Sequence, residues 1–397
     1  MTETKIKTSI NQIDHIIHIS DIHIRNLKRH KEYRCVFNNL YKKCRKLVKQ
    51  NPNTLIYLGG DIAHTKTEMS PELIDMIQDF FKSLAVIAPT ILIAGNHDCN
   101  LNNESRLDAL TPIVKSLDHP NFHYLRESGV YDICGIKFIV WSVFDYTKFI
   151  IDPKEVEGDY KIVLFHGPLN LSENDFGFQM NNNKIGIEQF DGCTLGLLGD
   201  IHKYQYMNSE KTVAYPGSLI QQNHAETLKG HGLLYWDIKN KTSEFIEVKN
   251  DWGYVTLVID GGELPDTKQL PKKPRIRIKY TDTDHSELKE ILTEIKKKYE
   301  VQDVVLYRQD TLSSVKSGDR DMSYNMGNIR DVSYQNKLIK DYLDRHYGVE
   351  ESLMKRIYEI NNDLNKKLPT ADIGEISFGH QRNLNFQICF HMEKIIT

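Results

Sequence analysis

Three stretches of the chain decide its fold: IDHIIHISDIH (residues 13–23), TLIYLGGD (residues 54–61) and PTILIAGNHD (residues 89–98). Each is a short apolar run that ends in a cluster of Asp, His, Asn and Gly. Runs of this length and composition are typical of buried strands. Because the carboxyl ends of parallel strands share one edge of a sheet, we expect the three polar clusters to converge.

Helical patterns fill the gaps between these strands, at Lys31–Lys49 and Pro71–Ala85. The second begins with Ser70 and Pro71 in the N-cap and N1 arrangement. Further apolar runs at residues 137–143, 161–166 and 194–199 continue the alternation, which predicts βαβ units. A hairpin expected over residues 131–143, with Gly135 at its turn, makes the sheet mixed. The predicted fold class is α/β.

The composition is that of an ordinary globular protein. The chain has 397 residues, is 40% hydrophobic and 26% charged, and carries a net charge of −3. Such a charge neither supports nor excludes DNA as a substrate, because only a local basic surface would be needed. The six cysteines form no CxxC pair, and no apolar stretch is long enough for a signal or membrane segment. We therefore expect an intracellular protein with reduced thiols that is neither secreted nor inserted in a membrane.

Two later strands end in the same kind of cluster, FHG with His166 and GDIH with Asp200 and His202. Residues at i and i+2 on leaving a strand point to one side, so Asp21 and His23 could reach the same ion. Carboxylates, imidazoles and an amide suit divalent manganese, iron, zinc or magnesium. Two such ions need a bridging carboxylate, for which Asp61 is the natural candidate. One such cluster alone would often be turn chemistry, but five after successive strands predict phosphoester hydrolysis.

The order SDIH, GGDI, GNHD, FHG and GDIH resembles the calcineurin-like metallophosphoesterases. Within them the chain is most similar to the SbcD-type DNA double-strand-break repair nucleases, the meiotic recombination nuclease family. HISDIHIRNLKRHKEY, the histidine in GGDIAHTKTEMSPE and YPGS at 215–218 carry this narrower resemblance. The resemblance extends over residues 13–310 and is strong as far as about residue 235.

The resemblance implies roles for individual residues. One metal would be held by Asp21, His23, Asp61 and His202, and the other by Asp61, Asn96, His166 and Asp200. His97 would act in catalysis on the phosphate or the leaving oxygen, and His64 would orient the scissile strand. A solvated loop histidine is the alternative for His64.

Asp200 departs from the family pattern, which usually has histidine at this position. An oxygen ligand favours harder ions, so we expect two divalent ions that are most readily Mn²⁺, with Mg²⁺ as the other choice. The basic loop at residues 25–31 is interpreted either as a solvated charge run or as a contact to the phosphate backbone. His15 and His18, within the first strand, are expected to be packing residues or to support the metal ligands.

The resemblance also implies the domain organisation: a four-layered α/β/β/α metallophosphoesterase sandwich with a small α+β capping domain and a C-terminal helical hairpin. We place the nuclease domain at residues 1–260 and the capping domain at 261–310, where Gly and Pro punctuate the chain. A linker is expected at 311–331 and the hairpin at 332–397. The hairpin comprises helical patterns at 334–347 and 350–365 and cannot form its own core.

The expected function is a manganese-dependent exonuclease and endonuclease acting on DNA ends, partnered by an SbcC-type coiled-coil ATPase that docks on the hairpin. A homodimer is expected from the apolar stripe on the helix at 71–85, although packing on the sheet would also explain that stripe. Two alternatives remain open at this stage. One is a calcineurin-like phosphatase or nucleotide phosphodiesterase, and the other is a non-catalytic scaffold suggested only by Asp200.

Overall fold

A computed structural model describes residues 3–308, except 102, 104–105, 182, 264–266 and 269, together with 336, 339, 340, 343 and 351–367. The chain divides into two compact units, residues 1–311 and 312–397. The linker expected at 311–331 and the segment 373–397 lie outside the described residues.

The first sheet contains the three strands that follow from the opening motifs. Its order is β13-β12-β2-β3-β4-β5. The strands are β2 (His15–Ile19), β3 (Thr54–Leu58), β4 (Thr90–Leu92), β5 (Phe122–Tyr124), β12 (Gly232–Asp237) and β13 (Thr242–Glu247). β2 to β5 are parallel, while β12 and β13 add an antiparallel edge. The polar clusters after β2, β3 and β4 therefore leave the sheet at one edge.

The second sheet has seven strands in the order β1-β6-β7-β8-β9-β11-β10. They are β1 (Glu3–Ile6), β6 (Gly129–Ile133), β7 (Ile136–Trp141), β8 (Lys161–His166), β9 (Leu195–Gly199), β10 (Gln205–Tyr206) and β11 (Val213–Tyr215). β6 and β7 form the predicted antiparallel hairpin, and β7, β8, β9 and β11 are parallel. The mixed character expected from the sequence is confirmed.

Helices α1 (His30–Gln50), α2 (Pro71–Ile87) and α3 (Leu110–Leu117) cover the outer face of the first sheet. The Ser70 hydroxyl accepts the Leu73 N–H at 3.3 Å, so the predicted N-cap is confirmed. A second apolar core lies between the two sheets. A third covers the far face of the second sheet, where the chain supplies loops and two 3₁₀ turns, Pro153–Glu155 and Ile187–Phe190. The α/β sandwich is confirmed, with this irregular outer layer on one side.

The small module begins earlier than the sequence analysis placed it. β14 (Trp252–Asp260) pairs in parallel with β15 (Lys273–Thr281), which pairs with β16 (Asp303–Arg308). Helix α4 (His285–Lys298) packs its apolar residues on this sheet. The boundary expected at residue 261 is therefore corrected to the segment before Trp252. The Gly261–Gly262 turn that suggested a linker instead begins the connection from β14 to β15.

The apolar stripe of α2 lies inside the chain's own core. Leu73, Met76, Ile77, Phe80, Phe81 and Leu84 are all at most 2% exposed and belong to the cluster between α1, α2 and the first sheet. Packing within the chain accounts for the stripe completely. The expected homodimer therefore stays a prediction without this argument in its favour.

In the second unit the structure describes α5 (Glu351–Lys367), which corresponds to the helix predicted at 350–365. Residues 336, 339, 340 and 343 of the preceding segment are helical, and the rest of the pattern at 334–347 lies outside the described residues. Hydrogen bonds join Asn336 to Asn361 and Asn362. The two segments are therefore in contact.

Two further expectations can be compared with the described part of the chain. Cys35, Cys44, Cys99, Cys134 and Cys193 are free thiols, as expected. None of the described helices is long and apolar enough to cross a membrane.

Candidate metal centre

The loops that follow the strands hold their polar residues in unusual backbone conformations. Asp21, His23 and Asp61 have φ values of 53°, 48° and 53°, and Asp200 has a φ of 100°. Residues other than glycine rarely adopt this left-handed region, and such strain is concentrated at functional sites. Backbone hydrogen bonds from Ile22 and His23 to the Asp61 carbonyl oxygen, at 3.0 and 2.9 Å, hold the first two loops together.

One group of possible ligand atoms comprises Asp21, His23 and His202. The Nε2 atoms of His23 and His202 lie 3.0 Å apart, and each lies 3.9 Å from Oδ1 of Asp21. These residues come from the loop after β2 of one sheet and the loop after β9 of the other. The convergence predicted from sequence positions about 180 residues apart is therefore present.

The second group is centred on His166, at the end of β8. Its Nε2 lies 3.4 Å from Asp61 Oδ1, 3.3 Å from Asn96 Oδ1 and 3.8 Å from Asp200 Oδ1. The other oxygen of Asp61, Oδ2, lies 3.4 Å from His23 Nε2 in the first group. Asp61 thus directs one oxygen to each group, which is the arrangement expected of a bridging carboxylate.

Hydrogen bonds on the far side of two histidines orient their rings. Nδ1 of His166 lies 2.6 Å from the Gly59 carbonyl oxygen, and Nδ1 of His202 lies 2.9 Å from Oε1 of Glu226. Both acceptors take a hydrogen bond from Nδ1, so the other nitrogen of each ring, Nε2, is directed at the site, where a cation can replace its proton. This is how ligating histidines are normally held by carbonyl and carboxylate partners.

The donor set fits divalent cations. Asp21 is fully buried and Asp61 is 2% exposed. Within the described residues, the ion-pair contacts of both carboxylates are with histidines alone. Ligand atoms of the two buried carboxylates lie within 4.8 Å of each other, where their charges would repel, and divalent cations would compensate that charge. The side chains in position to hold these cations are those of Asp21, His23, Asp61, Asn96, His166, Asp200 and His202. Their assignment as ligands stays a prediction.

The protonation of these groups follows from their burial and neighbours. Burial raises the pKa of Asp21 and brings the pKa of Asp200 to about 6. Burial alone would raise the pKa of Asp61, but the charges of His166 and His23 outweigh this effect and hold the pKa below its ordinary value. Burial also opposes charge on His202, but its hydrogen bond to Glu226 raises its pKa to about 10. Cation binding at His202 would therefore displace a proton.

His97 and His64 lie together beside the first group. The backbone N–H of His97 donates to Asp61 Oδ1 at 2.9 Å, and its Nδ1 lies 2.8 Å from the His64 carbonyl oxygen. The two rings stack with centroids 5.7 Å apart, and each is edge-on to the ring of His23. Burial, reinforced by the charge of Arg25, lowers the pKa of His64 to about 3. His64 is therefore a half-buried, neutral histidine in contact with the rings of His97 and His23.

Asp200 lies in the second group although it replaces the usual histidine. Its backbone N–H donates to both oxygens of Asp21 at 3.1 Å, which fixes the loop. Its side chain is 21% exposed, whereas those of Asp21 and Asp61 are buried. Asp200 is thus the most accessible of the three carboxylates proposed as ligands.

The basic loop contains one residue with a clear structural role. The Arg29 guanidinium donates to both oxygens of Glu32 at 2.9 Å and to the Gln221 carbonyl oxygen at 2.7 Å. Its side chain is only 5% exposed. Arg29 is thus an internal ion-pair residue and is not available to contact a phosphate backbone.

Two supporting residues were not assigned from the sequence. Asp98 is fully buried and accepts the N–H groups of Ile62, Ala63 and Gly95, so it joins the loops after β3 and β4. Its position as the last residue of the GNHD motif could have identified it from the sequence. Glu226 lies 24 residues after His202 in a stretch without a recognisable pattern, and only the folded chain brings it to that ring.

The part of the chain that contains the site is similar to a known protein family. Residues 15–204 match the family model described as Calcineurin-like phosphoesterase, a segment that contains every proposed ligand. The chain is 41% identical over 373 residues to "Uncharacterized protein R555" of Acanthamoeba polyphaga mimivirus, covering 91% of this chain and 27% of that protein. It is 24% identical over 194 residues to "Putative phosphoesterase 244L" of Invertebrate iridescent virus 6, covering 45% of this chain and 61% of that protein. The chain thus spans less than two thirds of either relative's length.

Proposed function

We propose that this chain, whose residues 15–204 match the Calcineurin-like phosphoesterase family model, is a two-metal-dependent nuclease that hydrolyses phosphodiester bonds at DNA ends. The observation that carries this proposal is the position of Asp61. Its two oxygens each lie 3.4 Å from a histidine of a different ligand group, directly beside His97. Such a centre suits hydrolysis of a phosphate ester.

When bound, two divalent ions would supply Lewis-acid stabilisation of the phosphoryl oxygens and activation of water. We assign Asp21, His23, Asp61 and His202 to one ion and Asp61, Asn96, His166 and Asp200 to the other. The Gly59 carbonyl and Glu226 fix the rings of His166 and His202, so the ligands are oriented before an ion arrives. Mn²⁺ is the proposed ion, because oxygen ligands predominate in the second group.

His97 is the proposed catalytic residue that is not a ligand. Its Nδ1–H donates to the His64 carbonyl oxygen, which leaves Nε2 for an oxygen of the phosphate. A histidine in this position can stabilise developing negative charge or protonate the leaving oxygen. His64, held neutral by its depressed pKa, would instead position the scissile strand by hydrogen bonding.

The choice of DNA over other phosphoesters rests on features beyond the metal ligands. His64 follows the second motif as in the SbcD-type nucleases, and the small α+β module of β14, β15, β16 and α4 follows in chain order, as their capping domain does. A compact phosphatase needs neither. By the same resemblance we propose an SbcC-type ATPase as the partner of the C-terminal segment. Action in DNA repair, recombination or replication would follow from that partnership.

Nuclease assays test the proposal directly. We expect the purified protein to cleave linear duplex and hairpin DNA when Mn²⁺ is added, and the Asp61→Asn variant to lose this activity. Asp75→Asn, on the exposed face of α2, is the matched control and should retain it. Rapid hydrolysis of a phosphomonoester or a cyclic nucleotide, with intact DNA, would support the phosphatase alternative. Inactivity on every substrate, with metal bound, would support the scaffold alternative.

A further inference from the structure

A short hairpin beside the metal centre presents exposed phenylalanines. Residues 171–180, here called the aromatic hairpin, are closed by hydrogen bonds from Leu171 N–H to the Met180 carbonyl and from Met180 N–H to the Ser172 carbonyl, both at 2.7 Å. At the tip, the Asn174 side-chain oxygen accepts the N–H groups of Phe176 and Phe178 at 3.0 and 3.1 Å. The backbone is therefore ordered by its own hydrogen bonds.

The aromatic hairpin is attached to the segment that carries a proposed metal ligand. Oδ2 of Asp175 lies 3.9 Å from Nδ1 of His202. The Gln205 side chain binds both the N–H and the carbonyl of Glu173, at 2.9 and 2.8 Å, and the Glu173 carboxylate pairs with Lys203 at 2.5 Å. Asp175 immediately precedes Phe176, so the aromatic tip begins beside the His202 ring, on its Nδ1 side.

The rings at this tip are accessible to solvent. Phe176 is 60% exposed and Phe178 is 70% exposed, and Leu171 at the base of the hairpin is 63% exposed. Large apolar side chains are normally withdrawn from water, and a group of them on an ordered turn marks a contact surface. This ordered turn keeps the two rings on the surface beside a centre that acts on phosphate.

The charge of the aromatic hairpin identifies which part of a substrate it can contact. Residues 171–180 read LSENDFGFQM, which includes Glu173 and Asp175 but no Lys or Arg. Glu173 is paired with Lys203, and the hairpin's own residues offer no cation to a phosphate backbone or an anionic membrane, whereas the faces of phenylalanine rings stack on nucleobases of any sequence. In a nucleotide the base is joined to its phosphate through one sugar. A phosphate at the metal centre therefore brings its base close to this surface.

We propose that the aromatic hairpin is a stacking platform that binds an unpaired nucleobase next to the scissile phosphate. The inference rests on the proposed nuclease function, and it adds a substrate preference. A base can stack on a protein ring only when it is released from its duplex partner, so single-stranded or frayed ends should be favoured over internal duplex.

The test compares the double variant Phe176→Ala/Phe178→Ala with wild type on two oligonucleotides of equal length, one normal and one abasic around the cleavage site. With Mn²⁺ present, the variant should lower kcat/KM on the normal strand by roughly 5-fold to 150-fold, the usual effect of losing one stacked base. On the abasic strand it should match wild type. Tyr160→Ala is the control, because Tyr160 is 37% exposed and precedes β8, whose far end carries His166.

Each other outcome has a defined meaning. Equal activity of variant and wild type on the normal strand would overturn the stacking proposal. So would an equal loss on both strands, which would indicate a role in supporting the metal centre. A change in oligomeric state without a change in cleavage would make the rings a contact between copies of the chain.

Failure of the nuclease function can be separated from failure of the platform. If wild type cleaves neither strand, fluorescence anisotropy of the labelled oligonucleotides still measures binding in the same buffer. Weaker binding of the double variant to the normal strand alone would support the platform although the nuclease proposal had failed. Equal binding of both strands by wild type and variant would overturn it.

Discussion

At the level of single residues, the two oxygens of Asp61 face different ligand groups, His23 on one side and His166 on the other. Asp61→Asn keeps the size of the side chain but removes its charge, so we expect both ions to be lost together. Asn96 touches only the second group, and Asn96→Ala should lose mainly one ion. Metal content per chain, measured by mass spectrometry after dialysis, checks this prediction. Two tightly bound ions in the Asp61 variant would rule out the bridge.

The neighbouring His97 gives a second prediction, because its ring acts on the substrate in our scheme without holding an ion. His97→Ala should lower kcat by about 10²–10⁴-fold, the usual contribution of a positioned acid. Metal content should stay at the wild-type level. If the ions disappear together with the activity, His97 would have to be reassigned as a ligand.

The site residues differ in how far the sequence could reveal them. Asp21, His23 and Asp61 directly follow apolar strands, and strand ends on one edge must meet, so their proximity was predictable. Glu226 was not, because its contact with His202 depends on the path of the chain after β11. His64 was predicted by resemblance, but its neutral state depends on burial beside Arg25, which only the folded chain shows.

At the level of elements, a buried ion-pair network joins α1 to the small module. Glu32 is 1% exposed and pairs with Arg29 at 2.9 Å and with Arg275 of β15 at 2.7 Å. Removing one partner from a buried network leaves uncompensated charge, which costs about 3–5 kcal/mol. We therefore expect Glu32→Gln to lower the free energy of unfolding by an amount of that order, measured by chemical denaturation. Glu294→Gln, which breaks the exposed pair with Lys297 on α4, should have no measurable effect.

The difference in the free energy of unfolding between wild type and Glu32→Gln should depend on pH through the pKa of Glu32. Burial opposes its ionisation, but the hydrogen bonds and charges of Arg29 and Arg275 hold its pKa below the ordinary 4.5. Its contribution to stability is therefore full above pH 4.5 and is lost as the pH falls through the lower folded value. The difference in the free energy of unfolding between wild type and Glu32→Gln should therefore become smaller as the pH falls. A difference that stayed constant with pH would contradict the ionised state of Glu32 in this network.

Several elements could be predicted and others could not, for identifiable reasons. α4 could be predicted, because its apolar period and the Asp284 cap are both strong. β1 is a four-residue edge strand with exposed side chains, and α3 has eight residues with a proline at its third position, so neither gives a clear pattern. The domain boundary was placed after residues 252–260 because the pairing of β14 with β15 is a long-range choice that the sequence does not show.

At the level of the whole molecule, the chemistry and the expected partner contact lie in different parts of the chain. All proposed ligands precede residue 203, within the compact unit of residues 1–311. In the second unit, Leu353 and Ile357 of α5 are half-buried and Ile360 is 38% exposed. An apolar face of this kind on a short helix suits a groove on another chain. We therefore retain the proposal that residues 332–397 bind the ATPase.

Deleting residues 332–397 tests this division of roles. We expect the truncated protein to lose binding to an SbcC-type ATPase and to lose ATP-stimulated cleavage of duplex DNA. It should keep manganese-dependent cleavage of single strands, because the metal centre and the cores around both large sheets are built before residue 250. Calorimetric titration of the partner and a single-strand nuclease assay measure the two effects separately. Unchanged affinity for the ATPase would assign α5 to the protein's own structure, and loss of single-strand cleavage would show that the second unit supports the catalytic domain.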